Sequence, residues 1–324
     1  MNVSVIVPAF NAAATLAECL AALQTQTRAP DEIIVVDDGS TDRTAELARA
    51  SGARVLQQPN RGPAAARNLG AQNARGDLIL FTDADCAPSP DWIAQMIAPF
   101  ADAQVIATKG TYRTRQRELI ARLTQLEFEM RYERMARLAR IDFVDSYAAA
   151  YRREIFLQAG GFDATFPVPS AEDVDLAFRL ARRGCFMRFA PDAWVWHHHP
   201  TVLCMYLARK ARYGWWRALL YLRYPEKIRG DAHTAPILKM QFALLALIAL
   251  FSFGAWIWLP LAFGALASLL ALVATTVPFA RWAFPRDRAV ALAWIPITLA
   301  RVAVQGAGLG AGLVWHGLVT RRAR

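Results

Sequence analysis

Acidic residues follow two apolar stretches in the first hundred residues of the chain. Asp37 and Asp38 end one stretch, and Asp83 and Asp85 come directly after the other. Carboxylates at positions i and i+2 after a buried strand can converge on one divalent ion, and Mg2+ and Mn2+ prefer such oxygen ligands together with substrate phosphates. Asp38 could equally cap a turn, as isolated aspartates usually do. Asp83 and Asp85 therefore carry the prediction of a metal site.

A basic helix and a second acidic pair add to this chemistry. Gly62 and Pro63 predict a turn, and the helix after it carries Arg67, so a helix start and an arginine are available to a diphosphate. Glu172 and Asp173 precede an apolar helical stretch. Alone they could be helix-start acids that complement the helix dipole.

Three consecutive histidines, 197–199, follow the strand-like segment 194–196. Neighbouring residues on a strand point to opposite faces, so at most two of the three could share a metal site. Ordinary loop histidines are the alternative.

The segments that would position these residues read as strands alternating with helices. The pattern predicts strands at 3–7, 32–36 and 77–81, and helices at 15–24 and 64–74. Strands without a polar face indicate a parallel sheet covered on both sides. Ligands of such sheets bind at the carboxyl ends of the strands, where the acidic residues would gather.

The stretch 116–138 has leucines at helical spacing among many arginines. We expect a helix that packs on the sheet through that stripe, and a helix on lipid headgroups is the alternative.

The composition changes near Pro236, because Asp287 is the single acidic residue from there to residue 324. Apolar runs at about 240–259 and 261–280 each approach the roughly 20 residues of a bilayer-spanning helix. A third run, about 292–316, contains Arg301 and glycines at GxxxG spacing, which suit close helix packing in lipid. We predict two to three transmembrane helices, the third run being either a span or a re-entrant or interfacial segment.

The 324 residues allow about two structural units. With 55% hydrophobic and 20% charged residues, the chain is neither disordered nor a repeat protein. Lys and Arg number 37 against 27 Asp and Glu, which favours an anionic partner such as nucleic acid, a phosphorylated substrate or lipid headgroups. The tryptophans cluster at the predicted membrane edges, so we predict no nucleic-acid binding.

The cysteines and the N-terminus bear on the compartment. The four cysteines are scattered without a CxxC pair, which predicts neither a disulfide framework nor a zinc site. No basic residue precedes Arg28 and the first apolar stretch is short, so we expect no signal peptide. Basic residues precede the first apolar run and follow the second, which places both ends of this helical hairpin in the cytoplasm. We predict a multi-pass protein of the inner membrane with its catalytic domain facing the cytoplasm.

In this order and spacing, the motifs resemble those of the family 2 glycosyltransferases, which have the GT-A nucleotide-diphospho-sugar transferase fold. The resemblance covers about residues 1–200. The motifs that carry it are Val5 to Asn11, Val36 to Asp42, Asn60 to Gly70, Asp83 to Asp85, Gly160 to Asp163 and Glu172 to Leu176.

The resemblance implies an α/β fold with a mostly parallel sheet flanked by helices, followed by transmembrane helices. We expect a catalytic domain at 1–230 and a membrane region at 236–320. Within the catalytic domain, 1–112 would bind the nucleotide sugar, and 113–230 would supply the acceptor side and interfacial helices.

The resemblance also implies a donor site. Pro8, Phe10 and Asp38 should border the base and ribose of a nucleoside-diphosphate sugar, with Arg67 near the same pocket. Asp83 and Asp85 form the metal motif for Mg2+ or Mn2+ at the diphosphate, with Asp83 also near the ribose.

One histidine near this point can complete the metal site in related enzymes, and His197 and His198 are the candidates. Such an ion offsets the charge that builds on the departing nucleoside diphosphate.

Glu172 and Asp173 correspond to the family's acidic pair, whose Asp is the usual general base. Processive members carry a Gln-x-x-Arg-Trp motif, where this chain has Arg209 to Tyr213 with Arg for Gln and Tyr for Trp. Arg209 and Arg212 would then contact the diphosphate or a phosphorylated acceptor, or anchor the chain at the membrane interface.

The prediction is thus a membrane-anchored, inverting, metal-dependent glycosyltransferase. It would move one sugar to a lipid-linked or membrane-proximal acceptor in envelope glycoconjugate synthesis, with membrane lipids as further partners. The alternatives are a processive polysaccharide synthase and a non-catalytic subunit of an envelope-polymer assembly. The altered motif argues against the first, and the intact acidic motifs argue against the second.

Overall fold

The computed structural model describes residues 1–166, 171–232 and 234–322, with side chains described up to residue 318. Two compact units form. The first contains Met1–Arg115 and Tyr132–His198, and the second contains Gln116–Arg131 and His199–Arg324. The segment 199–230, which we expected in the catalytic domain, thus clusters with the apolar helices, and so does Gln116–Arg131.

An eight-stranded mixed sheet lies in the first unit. Its strands are β1 Val3–Ala9, β2 Glu32–Asp37, β3 Arg54–Gln57, β4 Leu78–Thr82, β5 Ala87–Pro88, β6 Val105–Arg113, β7 Ala148–Arg152 and β8 Phe186–Trp196, and their order in the sheet is β3-β2-β1-β4-β7-β6-β8-β5. The pairs β1–β2, β1–β4, β2–β3 and β6–β8 are parallel, whereas β7 is antiparallel to both β4 and β6, and β5 is antiparallel to β8.

The three predicted strands correspond to β1, β2 and β4. All five residues of β4 are buried, and β1 has one partly exposed residue, as expected for strands covered on both faces. The intervening strand β3, Arg54–Gln57, was not predicted. It is four residues long, lies at the sheet edge and exposes both of its polar ends, so it lacks an apolar pattern.

Helices α1 and α3 were both predicted from their patterns. At Gly70 of α3, an added Cβ would lie 2.4 Å from Cγ2 of Ile6, so only glycine lets this helix approach β1 so closely. The described helices up to residue 198 are α1 Leu16–Gln24, α2 Thr44–Ala50, α3 Pro63–Asn73, α4 Trp92–Ile97, α5 Leu119–Met135, α6 Arg153–Gln158 and α7 Glu172–Arg182, with a 3-10 turn at Ala98–Ala101.

The second unit contains five further helices and a 3-10 turn at Pro225–Ile228. Three segments are long and apolar enough to cross a membrane: Pro236–Gly254, Leu261–Ala283 and Arg288–Leu318. The first helix ends five residues before the predicted position, at Gly254, and the third begins before residue 292. The five helices are α8 Leu203–Arg223, α9 Pro236–Gly254, α10 Leu261–Ala274, α11 Val277–Ala283 and α12 Arg288–Arg322.

Helices α8 and α12 approach each other closely at glycine residues. An added Cβ at Gly308 would lie 2.2 Å from the carbonyl oxygen of Ala211, and one at Gly312 would lie 2.5 Å from that of Trp215. In the opposite direction, Gly214 of α8 faces the backbone of Gln305. The predicted GxxxG packing is confirmed, and its partner is α8.

The apolar stripe of α5 packs against helices of the second unit, which corrects our expectation that it packs on the sheet. Ile120, Leu123 and Leu126 share a buried cluster with Tyr206 of α8. Helical spacing identifies the buried face of a helix but not the element that covers it. The other buried members of the cluster are Phe279, Ala283, Val290, Ala291, Trp294 and Ile297.

Arg301, the charge inside the third apolar run, is paired. One guanidinium nitrogen lies 2.7 Å from Oε1 of Glu127, and the other donates to Gln241 at 3.0 Å. Glu127 also accepts hydrogen bonds from Lys210 Nζ (2.9 Å) and the Tyr206 hydroxyl (3.0 Å). A charge among apolar helices requires such partners.

Candidate active site

The carboxylate of Asp38 is buried at the end of β2 and holds the chain that leads into α3. Its Oδ1 accepts hydrogen bonds from Gln58 Nε2 (2.6 Å) and the Arg61 N–H (2.9 Å), and its Oδ2 accepts one from the Gly62 N–H (2.9 Å). Both oxygens therefore already have partners within the chain. The predicted contact of Asp38 with a nucleobase stays a prediction.

The loops after β1 and β2 are bonded to each other. The Asn11 N–H donates to Ser40 Oγ (2.9 Å), and the Asn11 side chain accepts from the Thr41 N–H (2.8 Å). Asn11 has a φ of +48°, a left-handed conformation that asparagine tolerates. Pro8 is partly buried, whereas Phe10 is 50% exposed. The Phe10 ring is therefore accessible just after the carboxyl end of β1.

Arg67 connects the two predicted acidic motifs. It is 3% exposed; its Nη2 lies 2.6 Å from Asp83 Oδ1 and its Nη1 lies 3.3 Å from Glu172 Oε1. Burial by itself would lower the pKa of Arg67, but Asp83 and Glu172 outweigh it and raise that pKa. The sequence predicts Arg67 near the nucleotide pocket. In the structure, the described ion pairs of its guanidinium are with these two carboxylates.

Asp85, Cys86 and His197 form a group that could hold a metal ion. The Nδ1 atom of His197 lies 3.7 Å from Asp85 Oδ2 and 3.7 Å from Cys86 Sγ, and one ligand atom from each residue lies within 4.8 Å of the others. Of the two candidate histidines, His197 is buried beside Asp85, whereas His198 is exposed. Asp85 is half-exposed, which leaves its oxygens open to an ion.

The carboxylate of Asp85 and the imidazole of His197 fit a divalent ion. Carboxylate oxygens suit Mg2+ and Mn2+, and an imidazole nitrogen is an additional ligand of the kind that transition metals accept. Burial, with the charges of Asp85 and Asp83, raises the pKa of the Cys86 thiol well above its usual range. A lone cysteine has no spacing signal, so the sequence did not indicate Cys86.

Asp173 lies in the first turn of α7. Its Oδ2 accepts a hydrogen bond from the Ser146 N–H (3.3 Å), and its Oδ1 accepts one from the Val174 N–H (2.7 Å). Burial, the adjacent Glu172 and Asp145 raise the pKa of Asp173 well above its usual range. A carboxylate with a raised pKa is a stronger base, which suits proton abstraction near neutral pH.

The Gly-Gly-Phe motif is bonded to the helices that carry Arg67 and Asp173. Asn68 of α3 donates to the Phe162 carbonyl (2.8 Å) and accepts from its N–H (2.9 Å). Arg179 of α7 pairs with Asp175 (2.9 Å) and donates to the Gly161 carbonyl (2.6 Å). This motif has a structural function, because it fixes the two helices that position the candidate groups.

His199, Arg209 and Arg212 belong to the second unit. The His199 ring bonds Gln125 at 2.9 Å. Arg209 is half-buried and Arg212 is exposed on α8, and their predicted contact with a diphosphate or an acceptor stays a prediction.

Residues 4–159 match the family described as "Glycosyl transferase family 2". The pre-mycofactocin glycosyltransferase of Mycobacterium tuberculosis (strain ATCC 25618 / H37Rv) is 33% identical over 290 residues, which are 86% of this chain and 57% of that protein. The chain thus spans little more than half the length of this relative. The chondroitin synthase of Escherichia coli is 26% identical over 239 residues, covering 61% of this chain and 35% of that protein.

Among solved structures, the chain is similar to the mannosyltransferase PcManGT from Pyrobaculum calidifontis in complex with GDP-Man and Mn2+. The TM-score is 0.63 at 22% sequence identity, and the match covers 97% of this chain and 87% of that one. The predicted GT-A fold is confirmed.

Proposed function

The chain carries a family 2 glycosyltransferase domain, and we propose that it transfers a single sugar from a nucleoside-diphosphate sugar to a lipid-linked or membrane-proximal acceptor, with inversion, in envelope glycoconjugate synthesis. The observation that carries the proposal is the pairing of Arg67 with both Asp83 and Glu172. This pairing joins the metal motif to the motif of the proposed base, so both act on one substrate.

In the proposed mechanism, the chain's own residues bind the donor and activate the acceptor. The loops that contain Pro8, Phe10 and Asp38 border the base and ribose. Asp173 accepts the proton of the acceptor hydroxyl as that oxygen attacks the anomeric carbon from the face opposite the leaving group. One inverting displacement needs no covalent intermediate.

Asp83, Asp85 and His197 would hold Mg2+ or Mn2+, the metal on which activity would depend. When bound, the ion supplies positive charge that stabilises the departing nucleoside diphosphate. The closeness of Asp85 to His197 and the partial exposure of the Asp83 and Asp85 carboxylates support this assignment.

A membrane acceptor is supported by the three apolar helices of the second unit. We propose that the chain is a multi-pass protein of the inner membrane with the catalytic domain in the cytoplasm, because basic residues precede the first apolar segment and follow the second. Arg209 and Arg212 on α8 would contact the diphosphate or a phosphorylated acceptor.

A processive polysaccharide synthase is the second candidate function. It is favoured by the similarity to the chondroitin synthase of Escherichia coli and to the hyaluronan synthase of Pasteurella multocida, which is 27% identical over 240 residues. The two candidates differ in product length. Mass spectrometry of the product should find one added sugar, and a ladder of long products would establish the synthase.

Asp85→Asn and Asp173→Asn test the proposed site. The purified chain in detergent is supplied with a panel of nucleotide sugars, and release of nucleoside diphosphate is measured. Each variant should lose about 10²–10⁴-fold in turnover, as the loss of a charge-stabilising or proton-transfer group does. The matched control is Asp192→Asn, at an exposed position in the same unit. Near-normal turnover by both site variants would remove the proposal.

A further inference from the structure

Lys109 lies in the middle of β6 and is fully buried. Its Nζ forms an ion pair with Asp145, and it donates hydrogen bonds to the Tyr147 hydroxyl (2.9 Å) and to the Gly110 carbonyl (3.2 Å). Aromatic rings surround the ammonium group at 4.9–5.6 Å, namely those of Tyr132, Phe143 and Tyr147. The positive charge of the Lys109 ammonium group is thus buried in the first unit.

Such a pair is a weak source of stability, because the loss of hydration offsets most of the attraction and an apolar pair of similar volume often does as well. The position of the Lys109–Asp145 pair indicates a role other than stability. Asp145 is adjacent in sequence to Ser146, and the Ser146 N–H donates to the Asp173 carboxylate at 3.3 Å. Lys109 therefore holds the segment that binds the proposed base.

The same cluster also reaches the metal side of the site. The Tyr147 and Tyr132 hydroxyls are 2.7 Å apart, and Tyr132 accepts from the Tyr112 N–H at 2.9 Å. The Tyr112 ring lies between the rings of Tyr147 and His197, with centroids 3.3 and 4.3 Å away. Packing around Lys109 thus supports both Asp173 and His197.

We propose that Lys109 is a positioning residue for Asp173: by pairing with Asp145 it fixes the Ser146 N–H against the Asp173 carboxylate, and it offsets the negative charge that Asp145 presents to that carboxylate. The inference rests on the proposed function, in which Asp173 is the general base. Lys109 itself does not touch the reacting atoms.

Charges from three elements face Asp173. Glu172 precedes it on α7, Asp145 lies in the loop before β7, and Arg67 extends from α3. Burial and the two carboxylates raise the pKa of Asp173, and Arg67 opposes them. Removal of the Lys109 charge leaves Asp145 unbalanced and should raise this pKa further. Removal of the Asp145 charge should lower it.

The test titrates Asp173 directly by carbon NMR of the full chain, labelled with 13C-aspartate and held in detergent micelles. The Asp173 resonance is the one that Asp173→Asn removes. Lys109→Met should raise the apparent pKa of Asp173 by about one unit, and Asp145→Asn should lower it by a similar amount. The double variant carries neither charge, so its value should return close to that of the unmodified chain.

Activity is measured in parallel as nucleoside diphosphate release from UDP-glucose and from GDP-mannose. Lys109→Met should lower kcat about ten- to a hundredfold and move the acid limb of the pH profile to higher pH, whereas Lys109→Arg, which keeps the charge, should recover part of kcat. Arg152→Met is the matched control, since the described contacts of the Arg152 guanidinium are with backbone carbonyls and the Phe100 ring and not with the Asp173 segment. It should not shift the Asp173 resonance.

An unchanged Asp173 titration in both Lys109→Met and Asp145→Asn overturns the inference, even if turnover falls, because a merely structural lysine would reduce stability without moving that pKa. Should Lys109→Met not fold, Asp145→Asn and the double variant decide: a pKa that falls in Asp145→Asn and returns in the double variant supports the inference, and an unchanged pKa in Asp145→Asn overturns it. Failure of the proposed function is a separate result: Asp173→Asn would then retain turnover, whatever the Lys109 variants do.

Discussion

Arg67 pairs with two carboxylates of different exposure, Asp83 and Glu172. Side-chain exposure is 28% for Asp83 and 4% for Glu172, so water can compensate the charge of Asp83 better than that of Glu172. Buried charges that lose their partner are costly, whereas exposed ones regain water.

Arg67→Met should therefore destabilise the first unit by about 3–5 kcal/mol, because the buried Glu172 carboxylate would lose the guanidinium charge that offsets it. Urea denaturation monitored by tryptophan fluorescence measures this. Arg67→Met combined with Glu172→Gln should recover much of the loss. An unchanged midpoint in Arg67→Met would show that Glu172 is compensated by other groups.

The raised pKa of Asp173 predicts a pH dependence for the reaction. A base must be deprotonated to act, so kcat/KM should fall as the pH drops through the pKa of Asp173, and the midpoint should lie above the ordinary aspartate value of 3.8. A pH profile of nucleoside diphosphate release measures this limb. A limb at or below the ordinary value would contradict the assignment of Asp173.

At the scale of helices, α8 and α12 approach each other through glycines that leave no space for a methyl group. Gly308→Ala should destabilise the second unit by about 1–3 kcal/mol, because the added Cβ meets the backbone of Ala211, which cannot move aside as a flexible side chain does. Thermal unfolding in detergent measures the change. The control is Gly310→Ala on the same helix, where no atom lies within 4 Å of the added Cβ; equal effects of the two substitutions would refute the packing argument.

Glu127 ties α5 to α8 and α12 through Lys210 and Arg301. Burial would raise the pKa of Glu127, but the two cations outweigh it and bring that pKa to about 2, against an ordinary 4.5. The carboxylate is thus stabilised in the folded chain relative to the unfolded chain. Its contribution is complete above about pH 4.5 and is lost as the pH falls toward 2.

Glu127→Gln should cost about 3 kcal/mol at neutral pH, since it leaves two cations without their carboxylate. It should also weaken the acid dependence of stability between pH 4.5 and 2. Melting temperatures in detergent across that interval, compared with those of the exposed-site variant Glu118→Gln, measure both effects. Parallel curves for the two variants would contradict the assigned role of Glu127.

At the scale of the whole chain, the second unit exposes apolar side chains that water would not favour. Trp256 is 91% exposed and Ile257 is 85% exposed in the turn between α9 and α10, and Phe253 and Phe263 are 73% and 76% exposed on the flanking helices. A contiguous exposed apolar surface of this kind indicates contact with lipid.

We therefore expect the chain to stay in the membrane fraction after washing with concentrated salt and with alkaline carbonate, because apolar contacts with lipid are not screened by ions. Detergent should release it. Release by salt alone would instead indicate that the chain's positive charge holds it to anionic headgroups. Immunoblots of the washed pellets distinguish the two results.

Local patterns in the sequence predicted β1, β2, β4 and the acidic residues that follow β2 and β4, because burial on both faces of a parallel strand requires a continuous apolar run. They also predicted the apolar helices and the glycine packing, since bilayer thickness and close helix contact impose their own length and spacing. The edge strand β3 and the end of α9 at Gly254 lacked such a signal.

Only the tertiary structure decided which partners these residues have. The alternation of neighbouring side chains limited how many of the three histidines could share a site, but the packing of the chain brought His197, and not His198, to Asp85. The stripe on α5 identified a buried face, yet the helices that cover it lie far away in sequence. Lys109 and Asp145 were not predicted, because an ion pair between residues 36 positions apart leaves no local periodicity. Residue type and spacing thus determine the chemistry that is available, and long-range contacts determine which groups perform it together.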